Sequence, residues 1–270
     1  MRTRLLSALV LVPLILALVF FAPPELGAGL LLLPVFVAAG EWAGLCGLTR
    51  GGKGVAVALF AVVLVLSWGS LEPRAGSLGI GAAGFFAVGI LGLLLLYRGS
   101  VRARVWLELA TGFTALAALW WTAWALLEEH TPGREALLSL LVLVWVADTA
   151  AYLVGSLWGR RPLAPRVSPR KTWEGAFGGL GATLLAGLIL RFGGALGPIG
   201  LLFTLLGAAA VWAAALLGDL AESRLKRLCG VKDSGTLIPG HGGLLDRIDG
   251  LMVAAPVFYC FWCLRGGGGW

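Results

Sequence analysis

Charge is what this sequence has least of. Only 13% of its 270 residues are Asp, Glu, Lys or Arg, while 59% are hydrophobic, against about a quarter charged and roughly half apolar in an average soluble domain. That scarcity excludes an ordinary soluble globule, and a chain this apolar is equally excluded from the disordered class. Histidine is nearly missing too, with two in the chain and no nucleophile beside either, which argues against triad-type catalysis. Of four cysteines, Cys260 and Cys263 form a CxxC with no second pair, and Cys46 and Cys229 are remote in sequence. Neither a zinc site nor a disulfide is inferred.

Glycine and tryptophan are plentiful, at 41 and 12 residues, a composition that suits helices packed closely in lipid with aromatic anchors at the interfaces. Apolar runs fall at about 5–22, 26–45, 54–68, 78–97, 105–127, 136–157, 175–195, 199–220 and 250–264. Each is near the ~20 residues that a transmembrane helix needs, and nine of them leave roughly 90 residues for loops and none for a sizeable soluble domain. The expected fold is all-α and polytopic, with about nine transmembrane helices. Pro13 and Pro34 lie inside spans, where neighbouring helices can satisfy the freed carbonyls. The first run is read as a retained helix, because Pro23-Pro24 is not a small-residue cleavage site and a second span follows at once. About four spans occupy residues 1–100. The rest, 101–270, carries two loops of unusual polar content, 158–174 and 221–249, and long loops in a compact bundle are usually functional.

The cations test the span count. With the N-terminus and every second loop on one side, that side collects Arg2, Arg4, Arg50, Lys53, Arg98, Arg102 and Arg104. It also holds Arg160, Arg161, Arg166, Arg170, Lys171, Arg224, Lys226, Arg227, Lys232 and Arg247, or 17 of the 21. Arg74, Arg134, Arg191 and Arg265 remain opposite. The positive-inside rule then puts the N-terminus and both polar loops in the cytoplasm and, with nine spans, the C-terminus outside. The net charge of +7 is accounted for by topology and by attraction to anionic headgroups or phosphates, and no basic stripe with interleaved aromatics calls for nucleic acid.

Gly218-Asp219-Leu220-Ala221-Glu222-Ser223-Arg224-Leu225-Lys226-Arg227 is the most informative segment, continuing through Lys232-Asp233 to PGHGGLLDRIDG at 239–250. If the eighth helix runs on past Leu220, Asp219, Ser223 and Lys226 share one face. A carboxylate, a hydroxyl and an ammonium in line suit a hard cation and the phosphate it binds; a solvated helix end with an Asp–Lys pair is the plainer reading. Asp246 and Asp249 flank Arg247 and lie on one side if the ninth helix starts near them. Two carboxylates there repel unless a cation sits between them, although the helix dipole alone accounts for one. Between them, glycines around His241 let backbone N–H groups close on an anion, or else form a tight turn.

The other block runs Asp148-Thr149-Ala150-Ala151-Tyr152, then Gly155, Gly159 and Ser168-Pro169-Arg170-Lys171-Thr172-Trp173-Glu174-Gly175. An intramembrane carboxylate such as Asp148 is a functional-site candidate by default, with a hydrogen bond to a neighbouring helix as the alternative. Ser168, Arg170 and Lys171 beside a helix start make a phosphate clamp or a topology signal.

Taken as whole motifs, 223–249 (SRLKRLCGVKDSGTLIPGHGGLLDRID) and 148–175, with its DTAAY, GxxxG and SPRKTWEG, resemble the phosphatidate cytidylyltransferase (CDP-diacylglycerol synthase) family. The two blocks cover about a fifth of the chain; many members carry lysine where Arg170 stands. The resemblance implies a magnesium-dependent integral membrane enzyme of the bacterial-type inner membrane that makes CDP-diacylglycerol and pyrophosphate from CTP and phosphatidic acid. It places Asp219, Lys226, Asp246, Arg247 and Asp249 at the reacting groups. Asp219, Asp246 and Asp249 would hold magnesium and a possible second cation. Asp148, Ser168, Arg170, Lys171, Ser223, Lys232, Asp233 and His241 would bind substrate. A homodimer is a possible assembly.

Other readings remain to be weighed. A membrane transferase acting on a polyprenyl phosphate would also use aspartates and magnesium, while the DG…AR…G…D…D pattern of CDP-alcohol phosphotransferases is absent. An ion or phosphate transporter would show related halves, and no internal repeat is present. Residues 79–84 (GIGAAG) fit GxGxxG literally, but no strand precedes them and small-residue helix packing explains them better. Glu41 and Glu108, near span ends, are assigned structural roles.

Overall fold

A computed structural model describes Pro13 and residues 15–70, 101–237 and 242–265. Seven long helices make up almost all of it: α1 Pro24–Leu45, α2 Arg50–Ser70, α3 Val101–Glu128, α4 His130–Trp158, α5 Trp173–Phe192, α6 Leu201–Leu228 and α7 Leu245–Leu264. All seven contain a stretch long and apolar enough to cross a membrane. The expected run at 78–97 and most of that at 5–22 lie outside the described residues; residues 15–21 are helical.

These helices are apolar around their whole circumference rather than along one stripe, as expected of helices that meet protein on one side and lipid on the other. Leu33, Leu66, Leu202 and Phe192 are each more than 60% exposed, while Trp42, Trp120, Leu116, Leu127, Leu140 and Met252 are almost wholly buried. Helix α3 is the central post, in contact with α1, α4 and α7. Its contacts with α1 are pinned by indole donors: Trp42 Nε1 donates to the Glu108 carbonyl at 2.8 Å and Trp120 Nε1 to the Ala28 carbonyl at 2.9 Å. A buried indole N–H without a partner would carry a penalty of about 1–3 kcal/mol, so these bonds fix the helix register as well as the packing.

Two close approaches bring the polar motifs together. Helices α4 and α5 meet where a side chain on Gly175 would collide with the Ala151 carbonyl, and one on Gly179 with that of Ala147. Helices α6 and α7 meet where a side chain on Gly218 would run into the Asp249 carbonyl. Small residues let backbones approach in this way, and here each contact lies beside a carboxylate: Asp148 in the first, Asp219 and Asp249 in the second.

Element boundaries differ from the hydropathy runs at the motif end. Helix α6 continues eight residues beyond 220, and α7 begins five residues before 250, so 221–228 and 245–249 of the second polar loop are helical. The first polar loop contains a short antiparallel hairpin, β1 Pro162–Ala164 with β2 Ser168–Thr172, pairing Pro162 with Thr172 and Ala164 with Ser168. Thr172 then caps α5, its hydroxyl accepting from Gly175 N at 3.2 Å. The hairpin is fastened at both ends. Glu174 accepts from the amides of Arg160 and Arg161, and Arg227 of α6 donates to the Val167 carbonyl at 3.2 Å.

Candidate active site

Arg170 is exposed, whereas Lys171, one residue on, is partly buried and reaches α6, where its ammonium forms an ion pair with Asp219. One turn further along α6, Ser223 Oγ donates to the other oxygen of Asp219 at 3.2 Å. Asp219 and Ser223 of the expected face thus meet and receive a lysine from the first motif block, while Lys226, its third member, turns to other carboxylates.

Beside it stands a second, more buried group. Lys226 Nζ lies 2.5 Å from Glu222 Oε2 and 2.6 Å from Asp246 Oδ1. Asp246 also accepts from Gly243 N at 2.8 Å and Ser234 N at 3.1 Å. The Glu222 side chain has no solvent exposure at all. Its Oε1 is buried without a hydrogen-bond partner among the described residues. Asp249, one turn beyond Asp246 in α7, accepts from its neighbour's amide, Gly250 N, at 2.8 Å and feels the charges of Asp219, Glu222 and Asp148. Asp148 in turn interacts with Asp219 and Lys171. Five carboxylates thus converge at one end of the bundle on two ammonium groups, a set whose charge can be balanced by bound cations or by protons on the buried carboxyls.

Several predicted residues lie at the rim. Arg170, Lys232, Asp233 and Arg247 are exposed, Ser168 is partly buried at the start of β2, and His241 lies outside the described residues. Two residues of importance escaped the sequence reading. Glu222 is one. Its signal was its position, three residues after Asp219 and four before Lys226. Glu41 of α1 is the other: its carboxylate accepts from Ser234 Oγ at 3.0 Å, Leu244 N at 3.1 Å and Leu245 N at 2.8 Å. It thereby caps α7 from another helix and holds the loop that feeds Asp246. Glu108, also assigned a structural role, pairs with Arg224 at 3.0 Å.

Removing the Glu41 clamp should loosen the loop before it unfolds the bundle. Glu41→Ala strands three donors, each worth about 1–3 kcal/mol if left unsatisfied, and is expected to raise tryptic cleavage after Lys232 by about tenfold through local opening. Unchanged cleavage would remove the clamp role.

Among the described residues, no three His, Cys, Asp or Glu side chains are already disposed as a ligand set for a metal ion. The donor chemistry nonetheless fits a hard divalent cation, which takes carboxylate oxygens. The Gly218 contact sets the backbones of α6 and α7 against each other beside Asp219 and Asp249, and Glu222 Oε1 is buried without a partner among the described residues.

Fold and site together define an integral membrane protein that gathers carboxylates and lysines at one end of a helical bundle. The profile of the cytidylyltransferase family matches residues 2–264, and the chain belongs to that family. It is 39% identical to the phosphatidate cytidylyltransferase of Pseudomonas aeruginosa over 260 residues, covering 96% of this chain and 95% of that protein. To the phosphatidate cytidylyltransferase of Haemophilus influenzae it is 34% identical, covering 97% and 98%. A third relative of the same name, from Synechocystis, is 37% identical over 63% of this chain and 60% of its own length.

Proposed function

We propose that this chain is a magnesium-dependent phosphatidate cytidylyltransferase, transferring CMP from CTP to phosphatidic acid and releasing pyrophosphate. The observation that carries this reading is the Asp219 carboxylate, which pairs with Lys171 and accepts from Ser223 and so joins the two motif blocks into one site. In the reaction a phosphate oxygen of phosphatidic acid bonds to the α-phosphorus of CTP, and the bond from that phosphorus to the bridging oxygen of the pyrophosphate breaks. No covalent enzyme intermediate is required, so the protein's task is to position two polyanions and neutralise the charge that develops.

The roles follow from depth in the site. Lys171 and Lys226 are the inner ammonium groups and would hold transferring phosphates, exchanging carboxylate partners for phosphate oxygens as substrates enter. Asp219, Asp246 and Asp249 would hold magnesium, alone or with a second cation. When bound, such a cation would supply Lewis-acid polarisation of phosphoryl oxygens. Ser223 would serve as a local ligand or donor, and Asp148 would close the membrane-facing side. Exposed Arg170, Lys232, Asp233 and Arg247, with Ser168 and His241, would form the rim that meets CTP and the lipid headgroup. The acyl chains stay in the bilayer. The asymmetry of the cations supports a cytoplasmic position for this end in a bacterial-type inner membrane.

The test is direct. Purified protein in detergent, given CTP, phosphatidic acid and magnesium, should release pyrophosphate and form CDP-diacylglycerol in equal amounts, with neither product when magnesium is chelated. Absence of product across varied salt, lipid and detergent would refute the assignment. A rate independent of divalent cation would refute the metal role alone.

A further inference from the structure

Asp246 is held in place by a network that ends on a residue outside both motif blocks. Two carboxylates share the donors of Ser234 and of the backbone at 243–245. Asp246 takes the amides of Ser234 and Gly243, which lie nearest its Oδ2 at 3.1 and 2.8 Å, and its Oδ1 meets the Lys226 ammonium at 2.6 Å. Glu41 of α1 takes the Ser234 hydroxyl at 3.0 Å and the amides of Leu244 and Leu245 at 3.1 and 2.8 Å. Ser234 therefore bridges the two, its amide on Asp246 and its hydroxyl on Glu41. A side chain on Gly235 or Gly243 would run into the Glu41 carboxylate, so the loop backbone closes on it directly.

Glu41 is itself on a fixed support. Trp42, the next residue, is almost wholly buried, and its ring fills the place that a side chain on Gly112 of α3 would take. Its indole donates to the Glu108 carbonyl, and the Glu108 carboxylate pairs with Arg224 of α6 at 3.0 Å. The Cys229 thiol, at the end of α6, donates to the Leu45 carbonyl at the end of α1. Helix α6, with Asp219, Ser223 and Lys226, and helix α7, with Asp246, are thus both fastened to the same end of α1.

Leu244, at the N-cap of α7, supplies no side-chain cap, and a carboxylate near a helix N-terminus is favoured by the helix dipole. Capping alone would not require Ser234, whose hydroxyl carries the Glu41 anchor to the residue that also grips Asp246. Resting on the cytidylyltransferase reading above, we infer that Glu41 is a positioning residue for the transfer step. Through Ser234 and the first turn of α7 it holds the Asp246 carboxylate against Lys226, and so fixes the ammonium that receives a phosphate. A misplacement of about 1 Å in such a group, from a change remote from the chemistry, can lower a rate by ~10². Helix α1 then belongs to the catalytic apparatus, although neither motif block contains it.

Kinetics and cross-linking of the whole protein in detergent test this. Glu41→Gln keeps the shape of the side chain but turns an N–H group toward donors that now meet an oxygen. It should lower kcat at least about tenfold, leave KM for CTP within about twofold, and melt near the wild-type temperature. Ser234→Ala, which breaks the bridge and leaves the α7 amides capped, should lower kcat by less. A water-soluble carbodiimide should join Lys226 to Asp246 and to Glu222 in the wild type. In Glu41→Gln the Asp246 link should fall severalfold against the Glu222 link, which lies within α6 and serves as the internal reference. Wild-type kcat in both variants, or a raised KM at unchanged kcat, would overturn the proposal. So would a Lys226–Asp246 link that is absent from the wild type or whose ratio does not change in Glu41→Gln. If the wild type releases no pyrophosphate, the proposed activity falls, and the cross-link ratio still decides whether Glu41 sets Asp246.

Discussion

Asp219→Asn is expected to lower the rate of pyrophosphate release by at least about 100-fold while the protein still inserts, purifies and melts near the wild-type temperature. The amide has the shape of the carboxylate and can still accept the Ser223 hydroxyl, which lies 3.2 Å from Asp219 Oδ1, so packing should survive. What disappears is the charge that holds the Lys171 ammonium and that any cation bridging Asp219 and Asp249 would require. Loss of one preorganised electrostatic group, such as a single oxyanion-hole donor, typically removes about 10²–10³ of rate. Glu25→Gln, in the exposed first turn of α1, serves as the comparison and should turn over normally. If Asp219→Asn works within about threefold of wild type, Asp219 is a helix-end residue paired with a lysine, and the site must be sought elsewhere.

How much of this was legible in the sequence depends on the range of the interaction. The spans were visible because lipid demands long apolar runs, and the Asp219–Ser223–Lys226 face followed from helical periodicity alone. Hydropathy misplaced the ends of α6 and α7 because it marks the membrane and not the helix. Residues 221–228, AESRLKRL, are polar but are nearly all good helix formers, so the helix continues where the hydrophobicity stops. The hairpin at 162–172 is too short and polar to signal itself.

Glu41 was illegible for a different reason. Its partners, Ser234, Leu244 and Leu245, lie more than 190 residues away, and nothing local in GEWAG announces them. Glu222 had a local signal but an ambiguous one, since Glu four residues before Lys on a helix is usually a solvated surface pair. Only the placement of α7 across Gly218 buries it. That burial turns an ordinary-looking pair into the deepest charge of the site.

Lys226→Met should consequently reduce stability and activity together, by mechanisms that a double mutant can separate. The lysine side chain is 12% exposed and sits between Glu222, at 0%, and Asp246, at 12%. Removing one partner of a buried ion pair leaves an uncompensated charge and typically destabilises by about 3–5 kcal/mol, far above the ~0–1 kcal/mol of a surface pair. Asp246 keeps its bonds from the Ser234 and Gly243 amides; Glu222 keeps nothing comparable among the described residues, so most of the loss should arise there. Glu222→Gln added to Lys226→Met removes that stranded charge and should restore most of the stability, measured by unfolding in detergent micelles. Turnover should not return, because the ammonium beside Asp246 is still missing. A Lys226→Met protein as stable as wild type would mean that water, a cation or a proton already satisfies Glu222. Recovery of activity in the double mutant would mean that Lys226 only neutralises Glu222 and has no part in holding phosphate.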